Sequence, residues 1–253
     1  MKLRITSIQN FLVFLKRLKS VEKSVILELT SEQLFCKVNT TEKSVKKYSS
    51  VPLTDVLEGD VDWGKLKTDR VKIGIIDVTR LMEAFKHFRP EEDVYFELTT
   101  DKVDGDCVST EMKLTSASLN IRLRCADLGL LSYVEDNILK MIHSKEDQDA
   151  QFKIYQSDFT TVLSLCGLET NSEDLLSFEI TDKNVHAFGD SFRYKLNLGP
   201  SEIETTGNVI SNIYKSQLSY MEAETCQVFV HGNRLVMFSE QSSTSIAIGL
   251  VEK

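Results

Sequence analysis

The sequence predicts an α+β protein with two similar domains, each made of two units in which one helix precedes an antiparallel meander. Its length of 253 residues exceeds the usual size of one domain, so two domains of roughly 100–150 residues are expected. With 42% hydrophobic and 27% charged residues, the composition is typical of a folded globular chain. Four times along the chain, an amphipathic helical pattern is followed by two or three strand-like runs.

The N-terminal half contains two of these units. The first helix is predicted from Ser7 to Ser20, and the strand-like runs SVILELT, QLFCKVN and KKYSSVPL follow it. The second helix is predicted from Asp77, a suitable N-terminal cap, to Arg89, because Pro90 would stop it. The runs DVYFELTTDKV, CVSTEMKLT and LNIRLRCA complete this half.

The C-terminal half repeats the pattern. A third helix is predicted from Ser157, whose hydroxyl would cap it, to Gly167, and three strands are predicted within LLSFEITDKNVHAFGDSFRYKLNL. A fourth helix is predicted within SNIYKSQLSYMEAE, before a meander that ends in SIAIGLVEK. Because residues 144–150 are acidic and lack a pattern, the sequence predicts domains at 1–143 and 144–253.

Several classes of protein are disfavoured by the residues present. The five cysteines are scattered among apolar residues, which predicts reduced core thiols in a cytosol-type compartment and neither disulfides nor zinc. There is no apolar run of about 18 residues and no signal-peptide pattern, so the chain is expected neither to span a membrane nor to be secreted. No nucleotide-binding or metal-binding motif occurs, and no cofactor is expected.

Positive charge is concentrated on the first two predicted helices, although the formal net charge is -8. Helical spacing places their apolar residues on one face and their cations on the other. These cations, with one imidazole, are Lys16, Arg17, Lys19, Arg80, Lys86, His87 and Arg89. The third helix exposes only hydroxyl groups, and the fourth exposes a single cation, Lys215.

Two halves that each consist of two helix-plus-meander units resemble the DNA sliding clamps, the processivity factors of DNA polymerases. The likeness covers the whole chain, and its strongest local part is IYQSDFTTVLSLCGLETNSEDLLSFEITDKNVHAFGDSFRYKLNLG. The length resembles the trimeric clamps of tailed phages and the proliferating cell nuclear antigen type more than the dimeric bacterial type. The third helix departs from the clamp pattern because it carries no cation.

The resemblance implies a non-enzymatic ring, a homotrimer of six domains with its helices around a hole. Edge strands of one subunit would pair with those of the next. The ring would encircle double-stranded DNA without regard to sequence and work with a DNA polymerase and a clamp loader in viral or cellular DNA replication. The expected location is the cytoplasm, which is the host's for a viral protein, or the nucleus for a eukaryotic one.

The resemblance also implies roles for particular residues. The DNA-facing set would comprise Lys16, Arg17, Lys19, Arg80, Lys86, His87, Arg89 and Lys215, since contacts from cations to phosphate are independent of sequence. Acidic residues such as Glu28 and Glu173 would lie outside and repel DNA. Partner proteins would dock on apolar residues in LGLLSYV and AIGLV, namely Leu130, Leu131, Tyr133, Val134, Ile248, Leu250 and Val251.

Three other interpretations remain open at the level of sequence. A cationic helix face is often no more than solvated surface. A phage structural or scaffold protein that does not encircle DNA would show the same repeat. Asp104 and Asp106, which flank a glycine, could serve a metal-dependent nuclease, although such residues are more often found in solvated turns.

Overall fold

A computed structural model describes residues 1–89, 91–143, 148–171 and 174–251, without the side chains of residues 141–143. The chain forms two compact units. Unit 1 comprises Met1–Thr41 and Tyr48–Val134, and unit 2 comprises Glu42–Lys47 and Glu135–Lys253. The boundary expected between residues 143 and 144 and most of the predicted linker involve residues outside the described ranges, so that boundary stays a prediction.

Unit 1 contains a sheet that is covered on one face by two helices. Its elements are β1 Lys2–Ile5, α1 Ile8–Lys19, β2 Val25–Leu29, β3 Gln33–Asn39, β4 Val45–Pro52, α2 Leu53–Val56, β5 Leu57–Glu58, α3 Trp63–Leu66, β6 Val71–Ile75, α4 Val78–Phe85, β7 Tyr95–Val103, β8 Asp106–Thr115, β9 Asn120–Arg124 and a 3₁₀ turn at Leu128–Leu130. The first three residues of β4 belong to unit 2. The strand order is β4-β3-β2-β6-β8-β7-β1-β5, with β9 also paired to β8.

The core of unit 1 lies between α1, α4 and the sheet. The aromatic ring of Phe11 on α1 contacts Phe85 on α4 and Phe96 on β7, with ring centroids 5.0 and 5.9 Å away. Each of these side chains is at most 1% exposed, and burying such a side chain contributes roughly 1.5–3 kcal/mol to stability. The apolar stripes therefore fix both helices against the sheet.

The two helices predicted in the first half are present. Ser7 caps α1 by accepting a hydrogen bond from the Asn10 amide at 3.1 Å, and Asp77 caps α4. The second helix ends at Phe85 rather than Arg89, because the amides of Lys86, His87 and Phe88 bond to carbonyl groups three residues earlier. Pro90, the predicted stop, lies outside the described residues.

Two backbone features of the sheet in unit 1 depend on glycine residues. β7 and β8 are joined by Asp104 and Gly105, with φ angles of 51° and 89°, the positive values that a tight hairpin turn requires. Gly74 on β6 allows a close approach, since a Cβ there would lie 2.4 Å from the carbonyl oxygen of Ala126. The Ala126 amide in turn donates to the Gly74 carbonyl oxygen at 2.9 Å.

The described residues of unit 2 form two sheets and three helices. Its elements are α5 Asp136–His143, β10 Ala150–Ile154, α6 Gln156–Cys166, β11 Leu175–Ile180, β12 Val185–Phe188, β13 Arg193–Lys195, a 3₁₀ turn at Pro200–Glu202, β14 Ile203–Thr205, β15 Val209–Tyr214, α7 Lys215–Leu218, β16 Cys226–His231, β17 Arg234–Ser239 and β18 Thr244–Gly249. One sheet has the order β14-β10-β16-β17-β18, and the other has the order β13-β12-β11-β15. The core side chains of unit 2 include Phe152, Phe159 and Phe178.

Unit 2 corrects two predictions about helices. Ser157 does not cap α6, which begins one residue earlier after Tyr155 and has no side-chain cap. The fourth helix is shortened to α7, because residues 211–214 belong to β15, in which Ile213 pairs with Leu176 of β11. Tyr214, the last residue of β15, is 37% exposed.

Candidate nucleic-acid interface

The helix pair α1 and α4 presents a largely polar face on unit 1. On α1, Phe11, Phe14, Leu15 and Leu18 are buried, and on α4 the buried residues are Val78, Leu81, Ala84 and Phe85. The opposite sides of both helices therefore point away from the core. They carry the cations that the sequence singles out.

The structure exposes most of the predicted DNA-facing side chains. Those of Lys16, Lys19, Arg80, Lys86, His87 and Arg89 are exposed, and that of Arg17 is half-buried. Lys16, Arg17 and Lys19 lie in the last turn of α1, where positive charge also interacts favourably with the helix dipole. Arg89 lies beyond the end of α4 rather than within it.

Glu83 shows that cations from both helices converge on one area. Its carboxylate accepts a hydrogen bond from the Lys86 ammonium at 2.6 Å. That bond is the main reason why the pKa of Glu83 is lowered, and the charges of Lys86, His87 and Lys19 lower it further. Lys19 belongs to α1 and the others to α4 or the turn after it, so cations from both helices lie near this carboxylate.

Helices α6 and α7 of unit 2 together carry one cation, Lys215. On α6 the Thr160 and Thr161 hydroxyls donate to the carbonyl oxygens of Gln156 and Ser157, at 2.8 and 2.9 Å. The Lys215 ammonium donates to the carbonyl oxygen of Glu169 at 2.6 Å. Because this ammonium is already engaged and the side chain is only 13% exposed, the structure contradicts the assignment of Lys215 to a DNA-facing role.

The acidic residues nominated for other roles occupy structural positions. Asp104 is in the hairpin turn, and the Asp106 carboxylate accepts from the Lys72 ammonium at 2.6 Å. In the described parts of the chain, no three His, Cys, Asp or Glu side chains form a group that could hold a metal ion. Glu28, expected outside, is fully buried and lies 2.8 Å from the Lys37 ammonium. Glu173 lies outside the described residues.

The nominated docking residues of unit 1 differ widely in exposure. Leu130 is 84% exposed, whereas Val134 is 3% exposed and cannot serve as a contact surface. Leu131 and Tyr133 are half-buried. The Tyr133 hydroxyl accepts a hydrogen bond from the Lys37 ammonium at 2.7 Å, which anchors this segment to β3 and leaves Leu130 projecting.

The nominated docking residues of unit 2 are less accessible. Ile248 is 0% exposed and belongs to the core, so the structure contradicts its nomination. Leu250 packs against the same core, and Val251 is half-buried, with its amide donating to the Asn212 carbonyl oxygen at 2.8 Å. The docking roles of Leu250 and Val251 remain predictions.

Sequence reasoning missed exposed cations on two strands that lie at sheet edges, β9 and β13. Arg122 and Arg124 lie on β9, and Arg193 and Lys195 lie on β13, all exposed. The alternation of polar and apolar residues in NIRLR predicts a strand with one exposed face, and could have identified Arg122 and Arg124 as surface cations.

No family model and no curated protein sequence matches the chain. Solved structures do match along its whole length. Proliferating cellular nuclear antigen from Entamoeba histolytica has a TM-score of 0.70 and 13% identity, covering 99% of this chain and 98% of that one. PCNA of A. fulgidus, solved with the C-terminal region of FEN-1 bound, has a TM-score of 0.68 and 11% identity, covering 100% and 98%.

A third match is the PCNA2–PCNA3 complex of Sulfolobus tokodaii, with a TM-score of 0.65 and 13% identity, covering 99% of each chain. These likenesses confirm the predicted fold class, since the chain has the α+β fold of the sliding clamps from one end to the other. Among the described residues, no helix is long and apolar enough to cross a membrane.

Proposed function

We propose that this chain, which has the sliding-clamp fold, is a ring subunit that encircles duplex DNA and tethers a replicative DNA polymerase. The observation that carries the proposal is the cationic face shared by α1 and α4 on a chain whose net charge is -8. An acidic protein is repelled by DNA over most of its surface. A local electropositive helix face would therefore be the surface on which the duplex lies preferentially.

The chemistry of this face suits sliding better than tight binding. Flexible, exposed Lys and Arg side chains contact phosphate without reading bases, and salt weakens those contacts. Glu83 reduces the net charge of the face. A ring held by topology needs only enough attraction to keep the duplex centred, so modest charge is sufficient.

The assembly and the partners belong to the same proposal. A closed ring of three copies would bring three cationic faces around one duplex. A clamp loader would open the ring, and the polymerase would dock on the projecting Leu130 together with Leu131, Tyr133, Leu250 and Val251. One structural relative was solved with the C-terminal region of another protein bound, which makes docking of a short protein segment a reasonable model. The proposed setting is viral or cellular DNA replication, in the cytoplasm, which is the host's for a viral protein, or in the nucleus of a eukaryotic cell.

A threading experiment tests the proposal without a loader. The protein is mixed with linear duplex DNA, the ends are joined by a ligase, and the DNA is passed through a sizing column in 0.5 M NaCl, roughly where screening leaves little phosphate binding. Protein that encircles DNA should elute with the circle and be released when a restriction enzyme cuts it. Retention on linear DNA, or no retention on the circle, would contradict encirclement.

A charge-reversal variant tests the assigned face. Lys16→Glu, Lys19→Glu and Arg80→Glu together should abolish threading at low salt, because the face would then repel the duplex. The matched control reverses Lys65, Lys102 and Lys183, which are exposed and belong to neither α1 nor α4. Equal loss in the control would show a general charge effect and contradict the assignment.

A further inference from the structure

The two helices of the cationic face contain one acidic residue. Neither the sequence of α1 nor that of α4 includes an aspartate or a glutamate, apart from Glu83 on α4. The whole chain has 38 acidic residues, so an acid is common elsewhere in the sequence and exceptional on these helices. The position of Glu83 therefore points to a role in the way this face interacts with phosphate.

Glu83 is surrounded by cations of its own helix and of α1. Helical spacing places Arg80 one turn before Glu83 and Lys86 one turn after it, on the same side of α4. The Lys86 ammonium donates to the Glu83 carboxylate at 2.6 Å. The positive charge of Lys19 on α1 also lowers the pKa of this carboxylate. Glu83 therefore occupies a position among cations that would equally suit a phosphate group.

The stability of the helix does not account for this acid. The side chains of Lys86 and Glu83 are 60% and 57% exposed, and exposed ion pairs contribute little to stability. Glu83 does not cap α4, whose N-terminal cap is Asp77. Within the described parts of the chain, the Glu83 carboxylate has no hydrogen-bond or ion-pair partner other than Lys86. Its side chain therefore interacts with the cationic face and not with the core.

A carboxylate and a DNA phosphate compete for the same ammonium group, because both are anionic oxygen acceptors of charge-assisted hydrogen bonds. While Glu83 holds the Lys86 ammonium, a phosphate must displace the carboxylate and then lie beside its negative charge. A face that makes fewer phosphate contacts has a lower affinity for DNA and a weaker dependence on salt.

We propose that Glu83 is an internal competitor of DNA phosphate, which occupies Lys86 and lowers the affinity of the α1–α4 face for duplex DNA. The inference rests on the proposed DNA-facing role of this face and adds a residue that limits the strength of binding. A duplex that is held by one fewer ammonium group in each copy leaves the surface more readily. Weak contact of this kind suits a protein that moves along DNA while it encircles the duplex.

Substitution of Glu83 by glutamine tests the inference. Binding is measured by fluorescence anisotropy on a short duplex closed at both ends by hairpin loops, so that threading over a free end cannot contribute. Glu83→Gln should bind this DNA about tenfold more tightly than the wild type near about 50 mM NaCl, as expected for one added phosphate contact. The slope of log K against log salt concentration should become steeper by about 0.9.

Two further variants separate competition from a general effect of charge. Glu204→Gln, at an exposed acid on β14, removes the same charge and should leave the affinity unchanged. The double variant E83Q/K86Q should return to nearly wild-type affinity, since the freed Lys86 ammonium is the source of the gain. Thermal unfolding shows that the compared proteins are equally folded, as expected for exposed positions.

Three results would overturn the inference. They are an unchanged affinity in Glu83→Gln, an equal gain in Glu204→Gln, and a gain that persists in E83Q/K86Q. The threading assay keeps these results distinct from the proposed function. Threading by the wild type without a gain in Glu83→Gln would overturn the competition and leave the clamp, whereas a gain in Glu83→Gln without threading would support the competition and contradict encirclement.

Discussion

The rings of Phe11 and Phe85 meet edge to face, with centroids 5.0 Å apart and planes inclined at 77°. This contact joins α1 to α4 at the centre of unit 1. Edge-to-face packing is a favourable arrangement of two aromatic quadrupoles. This buried pair of rings therefore helps to set the relative placement of the cations on the two helices.

We expect Phe11→Ala to lower the free energy of unfolding by about 3–5 kcal/mol, since it removes a buried ring and leaves a cavity. Denaturant unfolding followed by circular dichroism measures the change. Val13→Ala, on the same helix but at a side chain that is 41% exposed, should have little effect. A small loss for Phe11→Ala would mean that the helix pair is held mainly by other contacts.

The buried ion cluster of unit 1 gives a second prediction. Glu28 lies between Lys37, at 2.8 Å, and Arg70, at 2.6 Å, and both Glu28 and Lys37 are fully buried. Glu28→Gln should destabilise the protein by about 3–5 kcal/mol, because it leaves buried positive charge without its counter-ion. Denaturant midpoints compare it with Glu83→Gln, an exposed acid whose loss should not be measurable. Equally small changes in the denaturant midpoints of both variants would show that water reaches the buried ion cluster.

The cap of α4 predicts a pH dependence. Burial raises the pKa of Asp77, but hydrogen bonds from the Thr79 and Arg80 amides outweigh it and bring the pKa below its ordinary value of 3.8. The stabilisation is therefore present above pH 3.8 and is lost as the pH falls through the lowered pKa. Asp77→Ala should cost about 1 kcal/mol at pH 7.

Unfolding free energies measured from pH 7 to pH 2 check this. The difference in free energy of unfolding between wild type and Asp77→Ala should become smaller in acid. Asp77→Asn should keep most of the capping interaction, with little pH dependence at this site. A gap that stays constant down to pH 2 would show that the carboxylate charge contributes nothing.

The thiols of unit 2 give a prediction about reactivity. Burial raises the pKa of Cys166 to about 11 and that of Cys226 to about 12. Since the thiolate is the reactive form, iodoacetamide at pH 8 should leave both unmodified in the folded protein and modify them after unfolding in urea. Peptide mass mapping measures this, and rapid modification in the folded state would contradict the burial of these side chains.

The periodicity of the sequence predicts much of the fold correctly, and the wrong predictions arise where tertiary contacts override the local pattern. The pattern of α1 is read correctly because a single apolar stripe meets a single core. Residues 211–214 resemble the start of a helix, but Ile213 finds Leu176 on a neighbouring strand, and such pairing overrides local preference. The apolar face alone could not reveal that partner, which lies far away in sequence.

The charged residues show the same contrast between local patterns, which the sequence reveals, and tertiary contacts, which it does not. Cations on α1 and α4 are predictable because charge and helical period are both local properties. Glu28 and Lys37 were not predictable as a buried pair, because a charged residue in a strand is normally exposed, and only the register of β2 against β3 brings these two together. Lys215 is misassigned for a related reason, since a distant carbonyl group binds its ammonium.

The contact between Gly74 and Ala126 gives unit 1 a mechanical property. Beyond β9 the chain crosses to β6, where the Ala126 amide is bonded to the Gly74 carbonyl oxygen at 2.9 Å. Tension applied along β9 is therefore transmitted to β6 and then to β2, in the middle of the sheet, instead of peeling one strand from the margin. A methyl group at position 74 would force the two backbones apart, and tension on β9 would then no longer be transmitted to β6 through this hydrogen bond.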